Sequence, residues 1–355
     1  MDKTRVAFIG TGNIFEMHMA AYKLMDNVEI VALCDIVEER VKQKAIKYGI
    51  DVSKAYTDMY KMFEENVIDA VNVCTPNFEH ARCTIAALRA GCNVICEKPM
   101  AINVKEAEEM TAEAKKSGKL LMLGFVCRHD NNCNITKQFI NEGYFGDIYY
   151  GKMKYLRRNG NPGGWFADKN LSGGGPMIDL GVHYIDLMRY IMGNPKPESV
   201  YCVMNSSIGC KYDPTLIPGY ISADNNGVVE SNVEDMATAI IRFEGGKSIL
   251  VETSFVMNIG EDECDVEVFG TKAGAKIVPN YEMYIRPSGY TANMEMKSKM
   301  NIDDLTMFKK EMTNFIDAIN GDCECIAPAQ DGVEIMKILC AAYKSAETGH
   351  EVIID

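Results

Sequence analysis

A glycine-rich turn runs straight into a helical pattern at Gly173-Gly174-Gly175-Pro176-Met177-Ile178-Asp179-Leu180-Gly181-Val182-His183-Tyr184-Ile185-Asp186. On an α-helix, positions 179, 183 and 186 share one face, so Asp179 and Asp186 both come within reach of the His183 imidazole. An imidazole titrates near neutral pH, and a neighbouring carboxylate orients it and raises its basicity. Such a set makes a general acid or base. It equally suits a buried helix whose His and Asp satisfy one another, and the motif alone does not choose.

Four further clusters each follow a short apolar run. Gly10-Thr11-Gly12-Asn13-Ile14-Phe15 succeeds Val6–Ile9 and opens a helical pattern. Glycines there let the backbone approach a pyrophosphate, and a helix N-terminus offers it N–H groups. Gly10, Gly12, Asn13 and Ile14 are the expected contacts, although Phe15 stands where a third glycine belongs and a plain tight turn uses the same residues. Asp35 ends the second apolar run. An acid there accepts from ribose hydroxyls and repels a 2′-phosphate, so NAD is expected over NADP; the alternative is a helix N-cap.

Thr75-Pro76-Asn77 and Glu97-Lys98 end the next two runs, at the edge where ligands of such sheets bind. Thr75, Pro76 and Asn77 suit the nicotinamide half of a dinucleotide, or a strand-to-helix turn with Asn77 as cap. A lysine against a cofactor holds or polarises a hydroxyl or carbonyl, and Pro99 restricts how Lys98 is aimed.

The elements that must position these residues change character near residue 125. Before it, apolar runs at Val6–Ile9, Ile30–Cys34, Ala70–Cys74, Asn93–Cys96 and Leu120–Leu123 alternate with helical patterns at 13–26, 37–48, 78–91 and 104–117. Fully apolar strands alternating with helices predict a doubly wound parallel sheet covered on both faces. After it, runs at Ile148–Tyr155, Ser199–Met204, Met236–Phe243, Ser248–Phe255 and Asp265–Phe269 predict a largely antiparallel sheet. Helices are expected at 134–143, 177–192, 304–319 and 331–347. The expected domains are 1–125 and 126–355. Residues 206–233 read as a long loop, and loops of that length are usually functional or mobile.

With 355 residues, both domains have enough chain for a core. The net charge of −13 argues against a general nucleic-acid binder. No signal-peptide pattern or membrane-length apolar run stands out, so a cytoplasmic protein is expected. Thirteen cysteines contain no CxxC pair, and Cys34, Cys74 and Cys96 lie within or at the ends of apolar runs, so neither a metal site nor a disulfide framework is expected.

Taken in order, the GxG turn, Asp35, Thr75-Pro76-Asn77-Phe78-Glu79-His80, Glu97-Lys98-Pro99, the Gly173–Asp186 run and Tyr343-Lys344-Ser345-Ala346-Glu347-Thr348-Gly349 resemble the glucose–fructose oxidoreductase/inositol dehydrogenase (Gfo/Idh/MocA) family over the whole chain. The resemblance implies an NAD-binding Rossmann domain and a C-terminal α+β domain. The open sheet of the second domain would support a homo-oligomer, a dimer or tetramer. It maps the family's reactive lysine to Lys98 and its Asp-x-x-x-His pair to Asp179 and His183. Arg128 matches a position that often faces the substrate.

Arg157, Asn159 and Trp165 lie in a glycine-rich loop, where an indole face beside polar groups suits a sugar ring as well as it suits a core or subunit contact. The expected activity is NAD-dependent oxidation of a secondary ring hydroxyl of a sugar, glycoside or cyclitol, with position 3 of a pyranose implied by the resemblance. His183 would be the base, Asp179 its orienting group and Lys98 the alkoxide holder. Two rivals use the same chain. One cleaves glycosides by transient oxidation and elimination on bound NAD. The other is a non-catalytic sugar sensor, which has no need of a proton acceptor.

Overall fold

The computed structural model describes residues 3–209, 220–225, 231–296 and 304–355. The chain divides into two compact units, Met1–Val126 with Asp303–Val333, and Cys127–Ile302 with Glu334–Asp355.

In the first unit, β1 (Thr4–Ile9), α1 (Asn13–Tyr22), β2 (Val28–Cys34), α2 (Glu38–Tyr48), β3 (Ala55–Tyr56), α3 (Met59–Glu65), β4 (Ala70–Val73), α4 (His80–Arg89), β5 (Asn93–Glu97), α5 (Val104–Ser117) and β6 (Leu121–Gly124) follow one another. Their strands form a parallel sheet in the order β3-β2-β1-β4-β5-β6. Every residue of β4 and β6 is buried, as a strand covered on both faces requires. The register aligns Ile9 with Cys34 and with Val73, and Val73 with Cys96. Gly10, Asp35, Cys74 and Glu97 therefore leave the sheet along one carboxyl edge, with the strand order reversing between β1 and β4.

Local signals set the helix ends. Asn103 caps α5 by accepting from Glu106 N (3.0 Å) while its amide donates to the Glu106 carboxylate (2.9 Å), and Gly118 closes the helix in the left-handed region. Neither β3 nor α3 was expected, since two and seven residues are too short to show a period.

The second unit contains α6 (Asn131–Asn141), β7 (Ile148–Leu156), α7 (Lys169–Ser172), α8 (Val182–Ile191), β8 (Pro197–Asn205), β9 (Met236–Phe243), β10 (Lys247–Ser254), β11 (Glu263–Gly270), β12 (Ala273–Val278), β13 (Glu282–Ile285) and β14 (Ala292–Glu295). Beyond them come α9 (Asp304–Asn320), α10 (Ala329–Thr348) and β15 (Val352–Ile353). Among the described residues the sheet order is β14-β13-β12-β11-β7-β10-β9-β8-β15. It is antiparallel apart from the β7–β10 pair, with Glu244–Gly246 turning the chain from β9 to β10. Gly151 on β7 admits α8: a Cβ there would stand 1.9 Å from the Met188 methyl. Tyr201, Val203 and Ile240 on β8 and β9 remain exposed. No described helix is long and apolar enough to cross a membrane.

Within the span 126–355 expected for the second domain, α9 packs on α1 and groups with the first compact unit. Its buried Phe308, Met312, Phe315 and Ile316 recur at helical spacing. Phe308 lies 5.4 Å, centroid to centroid, from the His18 ring, and Met312 Sδ lies 3.5 Å from Asn72 Nδ2.

One expectation changes in the second unit. The segment Met177–Gly181 is a π-turn that leads into α8, so 177–192 is not one uniform α-helix. Arg128 is fully buried and forks onto Asp186, with Nε to Oδ2 at 2.8 Å and Nη2 to Oδ1 at 2.6 Å, while its guanidinium lies 4.7 Å from the Tyr190 ring centroid. Asp186 is therefore a partner of Arg128 in a fully buried pair.

Breaking a buried pair leaves one charge uncompensated. Asp186→Asn should lower stability by about 3–5 kcal/mol in urea unfolding. Lys154→Ala, which removes a half-exposed pair with Glu263, should cost under about 1 kcal/mol. Equal costs in the two variants would contradict the burial argument.

Candidate active site

At the carboxyl edge of the first unit, Gly10 has a φ of +90°, and a Cβ there would lie 2.5 Å from the Cys74 carbonyl oxygen. Only glycine fits this turn. Gly12 caps α1 without a side-chain acceptor, so the helix start is suited to an external anion. Phe15 turns inward, fully buried, with its ring edge-on to Phe8 at 4.8 Å and to Tyr48 at 5.7 Å. The missing third glycine thus alters the packing behind the turn and leaves the turn itself open.

Asp35 is buried at the end of β2. Its Oδ2 accepts from Thr11 N and Thr11 Oγ1, both at 2.8 Å, and its Oδ1 accepts from Val37 N at 2.9 Å. A carboxylate has about four acceptor positions, so a ribose hydroxyl at Oδ1 would take the place of the long Arg40 contact there. Ile36 follows it and is exposed, but Arg40 reaches back to within 3.4 Å of both oxygens. Arg40 lies five residues on, in the first turn of α2.

Thr75 and Pro76 are half-buried after β4, and Asn77 is buried. Lys98 is half-buried, and its bond to Pro99 is cis. Beneath it, Glu97 is buried and accepts from Lys98 N at 3.2 Å. Sequence reasoning missed what faces Glu97. Tyr22 donates to Asn72 Oδ1 (2.9 Å), which directs the Asn72 amide nitrogen at His18 Nδ1 (3.0 Å). On the other side of the ring, His18 Nε2 lies 2.8 Å from Glu97 Oε1. Burial pushes the Glu97 pKa up, but His18, Lys98 and His80 overcome it and hold the carboxyl below its ordinary range.

Glu311 of α9 belongs to the same interior. It is fully buried, and neither carboxyl oxygen has a hydrogen-bond partner. Burial, reinforced by the Glu97 charge, pushes its pKa well above the carboxylate range, so it is carried as a neutral acid.

In the second unit, the π-turn carries Asp179, which is buried, and α8 carries His183, which is half-buried. Bonding at i to i+5 widens the turn, so the four-residue step between them departs from ideal α spacing. The Cys127 thiol lies 3.9 Å from His183 Nδ1. Glu234, another residue that sequence reasoning missed, accepts from Gly175 N (2.9 Å), Met177 N (3.1 Å) and the Tyr343 hydroxyl (2.8 Å). It pins the start of the segment that bears Asp179 and His183. Tyr343 had been visible as part of the Tyr343–Gly349 run.

Arg157 donates to Gly160 O (3.0 Å) and the Tyr155 hydroxyl (3.2 Å). Burial acts to lower its pKa, and the neighbouring Tyr155 and Asp179 more than compensate, so the guanidinium stays charged. Asn159 is half-buried beside Val256. Trp165 is half-buried and stacked on Phe166, with ring centroids 3.7 Å apart. Asp224 accepts from Trp165 N at 3.2 Å, and Ser222 N donates to Pro162 O at 2.9 Å, so residues 220–225 pack on this loop. Most of the remaining expected loop, 210–219 and 226–230, lies outside the described residues.

Residues 4–125 match the oxidoreductase family with an NAD-binding Rossmann fold, and residues 137–354 match its C-terminal alpha/beta domain. The chain belongs to the Gfo/Idh/MocA oxidoreductase family, and NAD is its cofactor. It is 34% identical over 351 residues to D-glucoside 3-dehydrogenase from Escherichia coli (strain K12), spanning 98% of this chain and 97% of that protein. It is 29% identical over 273 residues to myo-inositol 2-dehydrogenase from Thermotoga maritima, spanning 76% and 73% of the two. A solved structure of levoglucosan dehydrogenase with NADH and L-sorbose shares the fold, with a TM-score of 0.86 at 22% identity over 100% of both chains.

The Glu311 environment has a pH signature. Its folded pKa is raised above the ordinary 4.5, so its favourable share of stability is complete below that value and is lost as pH rises through the folded pKa. Glu311→Gln keeps the neutral shape and cannot ionise. Its stability advantage over the parent should grow with pH above 4.5, by at most about 1.4 kcal/mol per unit, in urea unfolding. A constant difference would show that Glu311 titrates normally.

Proposed function

We propose that this protein oxidises a secondary ring hydroxyl of a sugar, glycoside or cyclitol. The observation that carries this reading is the aligned edge of the first sheet, where Gly10, Asp35, Thr75 and Lys98 emerge together. The relatives named for glucoside and inositol oxidation support the substrate class.

NAD, when bound, takes the hydride from the carbinol carbon. Gly10, Gly12, Asn13 and Ile14 bind its pyrophosphate through backbone and helix start, and Asp35 accepts from the adenine-side ribose. Thr75, Pro76, Asn77, Glu97 and Lys98 line the nicotinamide half. His183 removes the hydroxyl proton, and Asp179 orients His183. Lys98 stabilises the alkoxide that this leaves. Arg157 and Asn159 pair with ring hydroxyls, and the Trp165 face takes the C–H side of the ring. We place oxidation at position 3 of a pyranose, on the strength of the E. coli relative's name. The exposed Tyr201, Val203 and Ile240 favour a homo-oligomer formed through the open sheet.

Incubation with NAD and glucose, glucosides, inositols or lactate should yield a keto group on a ring carbon by NMR, with NADH released. Activity confined to lactate overturns the substrate class. Cleavage of a glucoside without net NADH would transfer the assignment to an oxidation–elimination enzyme.

His183→Ala should lower kcat by roughly 10²–10⁴ while NAD affinity in calorimetry changes little, and Lys98→Met should lower kcat comparably. A near-normal rate removes that residue from the chemistry. Asp35→Ser would release Arg40 to meet a 2′-phosphate, so preference should move towards NADP. Unchanged NAD preference in this variant would exclude Asp35 from cofactor choice.

A further inference from the structure

His80 opens α4 and is 1% exposed. Its Nδ1 lies 2.7 Å from the Pro99 carbonyl oxygen, and its Nε2 lies 2.9 Å from the Thr75 carbonyl oxygen. A carbonyl oxygen only accepts, so each contact needs a hydrogen on that nitrogen. Neutral imidazole carries one such hydrogen and imidazolium carries two. The two carbonyls belong to different strand ends. Thr75 begins the turn after β4, and Pro99 directly follows Lys98.

We propose that His80 is a positioning residue that donates to both carbonyls and thereby fixes the Lys98 turn against the Thr75 turn. The inference rests on the reading of Thr75 and Lys98 as cofactor-edge residues. It gives a task to a histidine that sequence analysis had placed merely in the following helix. A buried imidazolium needs a compensating charge, and Glu97 supplies it from the end of β5.

The charged groups acting on His80 among the described residues are Glu97, which favours the two-donor form, and Lys98, which opposes it. Burial is the largest influence and sets the pKa below the ordinary 6.5, with the two carbonyls pulling it back up. The two-donor form is therefore complete on the acid side and is lost as pH rises through the lowered pKa. One carbonyl then faces a ring lone pair, and the two turns are no longer held together.

Two measurements test this. The first is calorimetric binding of NAD from about pH 5 to pH 8 by the parent, His80→Gln and His80→Phe. The parent's Kd should rise roughly three- to tenfold with pH, the scale of one lost hydrogen bond. Both variants should bind more weakly than the parent at the acid end and show no such rise. Parent-like affinity and pH dependence in His80→Phe would overturn the proposal.

The second measurement needs no variant to stay folded. Nitrogen-15 NMR of the parent should show His80 protonated on both nitrogens at the acid end. A singly protonated ring throughout that range overturns the proposal. The NMR result does not depend on NAD, so failure of the Lys98 reading, seen as a fully active Lys98→Met enzyme, is distinguishable from failure of the clamp.

Discussion

A carboxylate as deeply placed as Glu97 persists only where other groups share its charge, because ionised oxygen loses several kcal/mol of hydration on burial. Much of the first unit's carboxyl edge is arranged around that requirement. His18 faces it from α1, the Lys98 amide donates to it, and Lys98, joined by His80 when that ring is protonated, adds positive charge. Gly124 on the neighbouring strand has no side chain because a Cβ there would lie 2.9 Å from a Glu97 oxygen. That same charge, added to burial, pushes the Glu311 pKa well above the carboxylate range. One charge thus dictates residues on α1, β5, β6 and α9 that are far apart in sequence.

The second unit solves a related problem at a helix start. The first amide groups of a helix lack internal partners and form the positive end of its dipole. Glu234 takes the first helical amide, Met177 N, and the Gly175 amide just before the cap, and the Tyr343 hydroxyl also donates to it. Burial raises the Glu234 pKa, so the position is costly to keep charged. Gly174 and Gly175 are needed for this closeness: a Cβ at 174 would lie 1.9 Å from the Tyr343 hydroxyl, and one at 175 would lie 2.5 Å from the Glu234 carbonyl oxygen. The run of three glycines therefore serves to seat a helix, where the sequence alone offered only a flexible turn.

These contrasts explain what was legible in the sequence. Strands β1, β2, β4, β5 and β6 were readable because each is an apolar run, and the candidate residues fall at or just past their ends. The runs at Ser199–Met204, Met236–Phe243 and Ser248–Phe255 likewise marked β8, β9 and β10. The π-turn was not readable, since Asp179 and His183 are spaced for an α-helix and nothing local marks an i to i+5 bond. Arg128 and Asp186 lie 58 residues apart, so their fork is a tertiary fact. The place of α9 was hidden for the same reason: its amphipathic period announces a buried face without saying which unit buries it.

Phe15 shows how a departure from a motif is absorbed. A third glycine in the dinucleotide turn normally serves close packing of helix against strand. Here an aromatic ring fills that space, edge-on to Phe8 of β1 and to Tyr48 of α2. Tyr48 in turn joins Lys44 and Lys47 around Glu16, one residue after Phe15. Burial alone would raise the Glu16 pKa, yet these three partners bring it down to about 2. The acid in the first turn of α1 is thereby neutralised by α2, and its charge is kept from opposing an anion at the helix start. The substitution that weakens the motif on paper thus ties α1 to α2, the helix whose Arg40 reaches Asp35.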